Sequence, residues 1–589
     1  MFYVHFVWEK LKGKRLVAII GLIISATAAA LVWVNPMILS IVVDDAIKGG
    51  RSEILVPLLL CMCGVMLART LMHFVRIVML EQASQHMLWN VRRSIFASIQ
   101  HQELKFFDRM RAGDIITRTT GDLEYLRHFV AWVTYQVVDT VVLFVTAVVS
   151  LLAVNAELTV IMLGVLPLIL IVSYIYSKTV RKRYKRIRES LSALNIAATE
   201  NIAGNRVVKA FTREKYEQDK FEECSREFRD AHIAASVAWS KVVPVLDFLS
   251  QSLTFVTLLV GGMLVIWDKI TLGELAMFNS LTWALSSPMK SVSNLLNDMQ
   301  RFFTSAEKVV ELCEDAPLIT DRYDAVKADG KIKGNIEFRN VTFSYNGSKK
   351  ILDDVSFEIK AGQTVAVMGQ TGCGKTTITS LIARFYDPQS GSVLLDGVDV
   401  RMRRLRDIHK SVAIATQDVF LFSDTVDGNI AFSNSDMSVE KVQEYASLAA
   451  ADGFISRMED GYDTIIGERG VGISGGQKQR ISLARALAAE PSVLILDDTT
   501  SALDTDTEAF IQRSLKKLPF ECTKIIIAQR ISSVKDADVI FIMKDGKLCA
   551  GTHDSLARTN SYYRELCELQ HVSGLPDFEG EHVTVGGEL

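Results

Sequence analysis

Absences narrow the field first. The 589-residue chain has only eight cysteines, with no CxxC and no zinc-like pairing with His. Cys61 and Cys63 lie inside an apolar run and the other six are scattered, so the reading is free, reduced thiols rather than a disulfide framework. A strong net charge is also missing, since 65 Lys and Arg stand against 68 Asp and Glu, leaving −3. No nucleic acid is expected as a partner, because the chain offers no bulk attraction to a polyanion. The first long apolar run lacks a small-residue cleavage pattern and is long enough to span a bilayer, so a cleavable signal peptide is not expected.

What is present is apolar bulk, unevenly placed. Mean hydropathy is +0.21, high for a soluble protein. Long uncharged runs precede about residue 300, while residues after about 330 read as an α/β domain; the chain is too long for one core. A spanning helix needs roughly 20 mostly apolar residues. Six runs qualify, near 16–43, 54–80, 132–154, 158–177, 244–268 and 272–296. Asn35-Pro36 predicts a kink in the first. The last two are broken by Ser, Thr, Asn and Pro288, which suits helices facing a polar cavity.

Basic residues cluster on one side of these runs: Lys10, Lys12, Lys14 and Arg15, then Arg92, Arg93, Lys105 and Arg109, then Lys178 to Arg186. The intervening short loops carry few. The basic side is therefore expected to be cytoplasmic, with both termini there. Two polar insertions of about 50 residues are too long for simple connections. Their patterning predicts that the membrane helices continue into the cytoplasm, and a 25-residue extension reaches nearly 40 Å. Charges inside spans are costly. Arg69, His73 and Arg76 fall at helical spacing in the second run and Asp247 lies in the fifth; they either pair with one another, with Arg76 snorkelling to an interface, or face a solute cavity.

Beyond a polar linker near 305–335, Ile336 to Tyr345 alternates as a strand. Thr364-Val365-Ala366-Val367-Met368 reads as a buried strand and runs into Gly369-Gln370-Thr371-Gly372-Cys373-Gly374-Lys375-Thr376-Thr377, a complete phosphate-binding loop in its strand–loop–helix context. Its backbone N–H groups and helix N-terminus suit phosphate. Lys375 is expected at the β and γ phosphates of ATP and Thr376 on Mg2+. Asp497, ending the apolar strand Val493 to Leu496, is a further Mg2+ carboxylate. Cys373, beside Lys375 at a helix start, stands where a thiol would be reactive. Farther on, Ser474-Gly475-Gly476-Gln477 opens a helix as a second anion nest. One nest already cradles the phosphates, so the second implies another nucleotide or one shared across an interface.

These ordered motifs resemble the ATP-binding cassette exporters of the half-transporter type, over nearly the whole chain. The resemblance implies a membrane all-α domain with six transmembrane helices and long cytoplasmic extensions over 1–310, an α/β P-loop nucleotide-binding domain over 330–572, and a tail over 573–589. Ile473 to Gln477 matches the family signature, with Ile where Leu is usual. Gln417 matches the Q-loop, implying contact with Mg2+, and Tyr345 the aromatic that stacks on adenine. Ser501-Ala502-Leu503-Asp504 matches the D-loop, and Gly467-Glu468-Arg469-Gly470 the short loop before the signature. Phe106-Phe107-Asp108 with Gly113-Asp114, and Val208 to Phe211, look like the two coupling segments. In that family two nucleotide domains dimerise head to tail, so Ser474, Gly475, Gly476, Gln477 and Asp504 would act on a partner's ATP.

Two positions depart from the family pattern. The general base, usually Glu, is Asp498, and the switch His is Gln529. Asp is one methylene shorter, and a misplacement of about 1 Å can cost about 10²-fold. Gln donates a hydrogen bond but carries no charge. The resemblance therefore implies a subunit that binds ATP, cuts it slowly, and works with a second half-transporter bearing the Glu and His. That heterodimer would export hydrophobic or amphiphilic compounds across the plasma membrane. The alternatives are a homodimeric lipid or peptide exporter and an ATP-binding regulatory membrane protein without net transport. No N-terminal peptidase-like extension precedes the first run, which disfavours a processing peptide exporter.

Overall fold

Backbone groups cannot be left unpaired in lipid, so the apolar runs have one economical solution, the helix. The structure, a computed structural model, describes residues 2–345, 347, 349–467, 470, 472–500, 502–572 and 575. It divides into two units, Met1–His101 with Met110–Ala316, and Gln102–Arg109 with Pro317–Leu589. The loop residues Glu468 and Arg469, D-loop Ser501, and the tail from 573 (Leu575 apart) lie outside the described residues.

The first unit is helical. Five spans are long and apolar enough to cross a membrane: Arg15–Lys48, Ser52–Gln100, Ala112–Val154, Ala156–Ile175 and Glu214–Ile266. They coincide with the first five expected runs. The sixth run falls in the helix Leu272–Glu314, which is not among the five because its polar residues dilute its hydropathy. The helix Leu272–Glu314 also takes in the start of the stretch expected as linker.

Four helices exceed any bilayer, Leu272–Glu314 with 43 residues and three longer ones: Leu55–Gln100 with 46 residues, Ala156–Ala203 with 48 and Glu214–Ile266 with 53. At 1.5 Å per residue each of the longer three runs roughly 70 Å or more. Pro167, Pro244 and Pro288 sit inside continuous helices. The break expected at Asn35-Pro36 falls just before it, as a tight 3-10 turn over Leu31–Trp33. Proline at 36 has no N–H for the carbonyl four residues back, and its ring crowds that turn.

Arg76 and Asp247 are ion-paired, though not with one another, and Arg69 meets a backbone carbonyl. Arg76 is buried; its Nη1 donates to Asp139 Oδ2 at 2.7 Å and to Ser25 Oγ at 3.2 Å, and its guanidinium lies 3.8 Å from the Tyr135 ring centroid. Ser25 Oγ donates to the same Asp139. Arg69 donates to the Ala28 carbonyl, and Asp247 accepts from Lys290 at 2.9 Å.

The second unit is built on two sheets. An antiparallel sheet has the order β2-β1-β4-β5, with β1 Ile336–Phe343, β2 Leu352–Ile359, β4 Ser390–Leu395 and β5 Val398–Asp399. A six-stranded sheet has the order β10-β9-β3-β8-β7-β6, with β3 Thr364–Gly369, β6 Val412–Ala415, β7 Val493–Asp497, β8 Thr523–Ile527, β9 Val539–Lys544 and β10 Lys547–Gly551. Only the β9–β10 pairing in it is antiparallel. Alternate residues of one strand enter different cores. Leu494, Leu496 and Ile526 join one, Val493, Ile495 and Ile525 the other. Burial on both faces explains why these strands are continuous apolar runs.

The short helix Leu104–Arg109, carrying the first coupling motif, packs with this second unit rather than with the helices it interrupts. Tyr386 Oη donates to Asp108, and Glu103 accepts from the Leu318 N–H at 2.5 Å. In the second coupling motif Lys209, Ala210 and Phe211 are exposed and Val208 is half-buried, all within the first unit.

Candidate functional site

Parallel strands aim their carboxyl ends at one edge, where open α/β sheets bind ligands. Five strands do so here, and four of them lead into the site. Val367 of β3 and Asp497 of β7 both pair with Ile527 of β8, and Ala415 of β6 pairs with Leu496. The phosphate loop follows β3, Asp498 follows β7, Gln529 follows β8 and Gln417 follows β6. Sequence positions more than 150 residues apart thus converge.

They line a cavity of about 330 Å3 formed by Tyr345, Thr371, Gly372, Gly374, Lys375, Thr376, Thr377, Gln417, Asp497, Asp498 and Gln529, with Ile351, Ile527 and Ala528. Eleven expected residues are thus brought together. Gly369 and Cys373 belong to the loop but not to the lining, and Cys373 packs against the core. Ile351, Ile527 and Ala528 escaped sequence reading, being apolar residues that differ in nothing from their core neighbours.

The loop's shape depends on glycine. Gly369 leaves β3 at φ +150, and a Cβ there would lie 2.5 Å from the Met543 carbonyl oxygen. Gly374 takes φ +105, and its Cβ would meet Ile351 at 2.9 Å. The helix Lys375–Ile382 then starts beneath the loop. Lys375 Nζ donates to the Gly369 and Gln370 carbonyls at 2.8 and 2.9 Å, folding over the loop where a phosphate would sit. Tyr345 Oη bonds Thr377 Oγ1 at 3.1 Å, and its ring meets that of Tyr386 edge-on.

Thr376 Oγ1 donates to Asp497 Oδ2 at 3.0 Å. This hard-oxygen pair beside a phosphate loop fits Mg2+. Burial pushes the Asp497 carboxyl above the usual range, and the Asp498 charge adds to this; the Thr376 hydrogen bond and Lys375 oppose it. Burial likewise raises Asp498, opposed by Arg530 and then Lys375. A bound divalent cation would counter both shifts. Asp498 adopts left-handed backbone, φ +49, a conformation Asp tolerates, and its N–H donates to the Ile527 carbonyl at 2.9 Å. The catalytic-strand end is thereby tied to the strand that leads to Gln529.

The signature residues stand apart from this cavity. Ser474 caps the helix Gly475–Ala488 in a reciprocal box, its Oγ accepting from the Gln477 N–H and Gln477 Oε1 from the Ser474 N–H. Ser474 and Gly475 are exposed. Asp504 caps the helix Thr505–Lys516. Ser474, Gly475, Gly476, Gln477 and Asp504 are all absent from the cavity lining.

A glycine cradle, a lysine, an acid and hydroxyl pair, and a detached Ser-Gly-Gly helix start define a P-loop ATPase on the same chain as membrane helices. Residues 18–289 match the ABC transporter transmembrane region and 352–501 the ABC transporter domain. The chain belongs to the ABC transporters and is an ATPase-coupled transporter. It is 33% identical over 580 residues to YgaD of Bacillus subtilis (strain 168), named for multidrug export as an ATP-binding/permease protein, covering 97% of this chain and 99% of that one. It is 32% identical over 571 residues to an ATP-dependent lipid A-core flippase of Vibrio vulnificus (strain YJ016), covering 96% of each. Its fold is similar to that of a bacterial Atm1-family ABC exporter with ATP bound, with TM-score 0.80, 24% identity, and 97% and 99% of the two chains covered.

Proposed function

We propose that the protein is the catalytically weak subunit of a heterodimeric exporter that moves hydrophobic or amphiphilic compounds across the plasma membrane. In this reading six helices span the bilayer, the sixth being Leu272–Glu314, and both termini and the nucleotide domain are cytoplasmic. Tyr345 stacks on adenine, the 369–377 loop holds the phosphates, and Thr376, Gln417 and Asp497 hold Mg2+, which when bound offsets phosphate charge. Ser474, Gly475, Gly476, Gln477 and Asp504 serve the partner's ATP, in keeping with the exposure of Ser474, Gly475 and Asp504 and with the absence of all five from the lining of the chain's own cavity. The substrate class is that suggested by relatives named for multidrug export and lipid A-core flipping.

The observation that carries the reading is the company Asp498 and Gln529 keep. Both line the cavity with Lys375, Thr376 and Asp497, which supports assigning them to the terminal phosphate. A carboxylate one methylene short must position the attacking water from farther away, and an amide cannot take the proton an imidazole can. Binding groups are complete while the cutting groups are altered.

The test is ATP-driven flux of a fluorescent amphiphile into inverted vesicles, with this chain alone or with a second half-transporter carrying Glu and His at the matching positions. Flux is expected only with the partner. Equal flux from this chain alone would refute the heterodimer, and no ATP-dependent flux in either case would refute export.

A further inference from the structure

Among the described residues, Glu508 is the buried carboxylate of the nucleotide unit that the proposed roles leave unused. It lies in the first turn of the helix Thr505–Lys516 and is 4% exposed. A buried carboxylate is costly unless donors surround it, and Glu508 has three from two separate segments. Thr500 Oγ1 donates to its Oε1 at 3.3 Å; Ser533 Oγ donates to the same oxygen; Arg530 Nη1 lies 3.3 Å from its Oε2. Thr500 lies two residues beyond Asp498. Arg530 directly follows Gln529, and Ser533 lies four beyond it.

Thr500 follows the end of β7, and Arg530 and Ser533 follow the end of β8. The Asp498 N–H on the Ile527 carbonyl holds the strand ends in register. Past that point Glu508 accepts from both segments at once. It is also the ion-pair partner of Arg530, whose charge acts on the Asp498 carboxyl.

We propose that Glu508 is a positioning residue for ATP hydrolysis, a charged clamp that fixes Asp498 and Gln529 relative to each other. This rests on the reading that those two side chains serve the terminal phosphate. Glu508 does not line the nucleotide cavity, so its loss loosens the cutting groups without touching the binding loop.

The experiment compares the full-length chain with its Glu508→Gln variant, which keeps the size and one acceptor oxygen for the Thr500 and Ser533 hydroxyls but loses the charge and the second acceptor, which takes Arg530. Equilibrium binding gives MgATP affinity, and single-turnover hydrolysis of labelled ATP gives the chemical rate. The rate is expected to fall at least about tenfold, with affinity changed less than about twofold and a lowered thermal midpoint that still leaves the variant folded at the assay temperature. Arg530→Gln, at a half-exposed side chain, should show the same split, and the double variant should be no slower than the worse single one. If Glu508→Gln does not fold, Arg530→Gln decides alone. A folded variant with an unchanged rate, or with rate and affinity falling in parallel, overturns the clamp. All ratios are repeated on the Asp498→Glu, Gln529→His background. Brisk turnover by the unmodified chain would overturn the weak-site reading but leave the ratios intact, so the two ideas fail separately.

Discussion

Replacing Asp498 by Glu and Gln529 by His together is expected to raise MgATP turnover of the purified chain by about 10²-fold, with nucleotide affinity almost unchanged. The reasoning is geometric. Asp498 already stands in the cavity beside Lys375 and Asp497. Its backbone is anchored through its N–H to the Ile527 carbonyl, so an added methylene extends the carboxylate into the site rather than moving the loop. The His supplies a ring nitrogen at the end of β8, where the amide now lies. Either single change should recover only part, because a base and the group that orients the phosphate act as a unit and their effects are not additive. Steady-state ATPase rates and binding constants for the four variants check this. A double variant no faster than its parent would show that hydrolysis is limited elsewhere.

The second large effect is expected in the membrane unit. Arg76→Met should destabilise it by about 3 kcal/mol, at the lower end for breaking a buried ion pair because Asp139 keeps 25% side-chain exposure. Arg76 joins three helices: its own, Leu55–Gln100, with Ser25 on Arg15–Ala30 and Asp139 on Thr134–Val154. Its removal leaves the Asp139 carboxylate, among the described residues, with the Ser25 hydroxyl as its hydrogen-bond donor and takes a cation from the Tyr135 face. The double change Arg76→Met with Asp139→Leu should recover much of the loss, since well-packed apolar groups often replace a buried pair at little cost. Thermal unfolding of the detergent-solubilised protein measures both. A single variant as stable as the parent would mean that the pair contributes nothing to holding the helices.

The site was far more legible in the sequence than this pair. A phosphate loop has fixed spacing because backbone amides must converge on one anion, so Gly369 to Thr377 could be read directly. Asp497 followed because it ends an apolar strand at a predictable edge, whereas Gln417 and Tyr345 came only from the family resemblance. Asp139 was missed because its partner is 63 residues away on another helix, and no local pattern encodes a cross-helix pair. Arg69, His73 and Arg76 share a helical face, and Arg69 and Arg76 both reach the helix Arg15–Ala30 while Arg76 alone also reaches Thr134–Val154, which periodicity cannot assign. Glu508 was hidden for a like reason: in sequence it is one acid in a polar helix start, and only the fold brings Thr500, Arg530 and Ser533 to it. The helix Leu272–Glu314 was the weakest expected span, and its polar residues keep it outside the apolar set.

The sharpest measurement is the identity of the nucleotide on the unmodified chain, purified without a partner and incubated with MgATP. If binding groups are whole and cutting groups are not, the bound species after many minutes is ATP, released intact on denaturation, with little phosphate formed. Rapid conversion to ADP and phosphate that stops when Asp498 is changed to Asn would contradict the account, because Asp498 would then be a competent base in its present position.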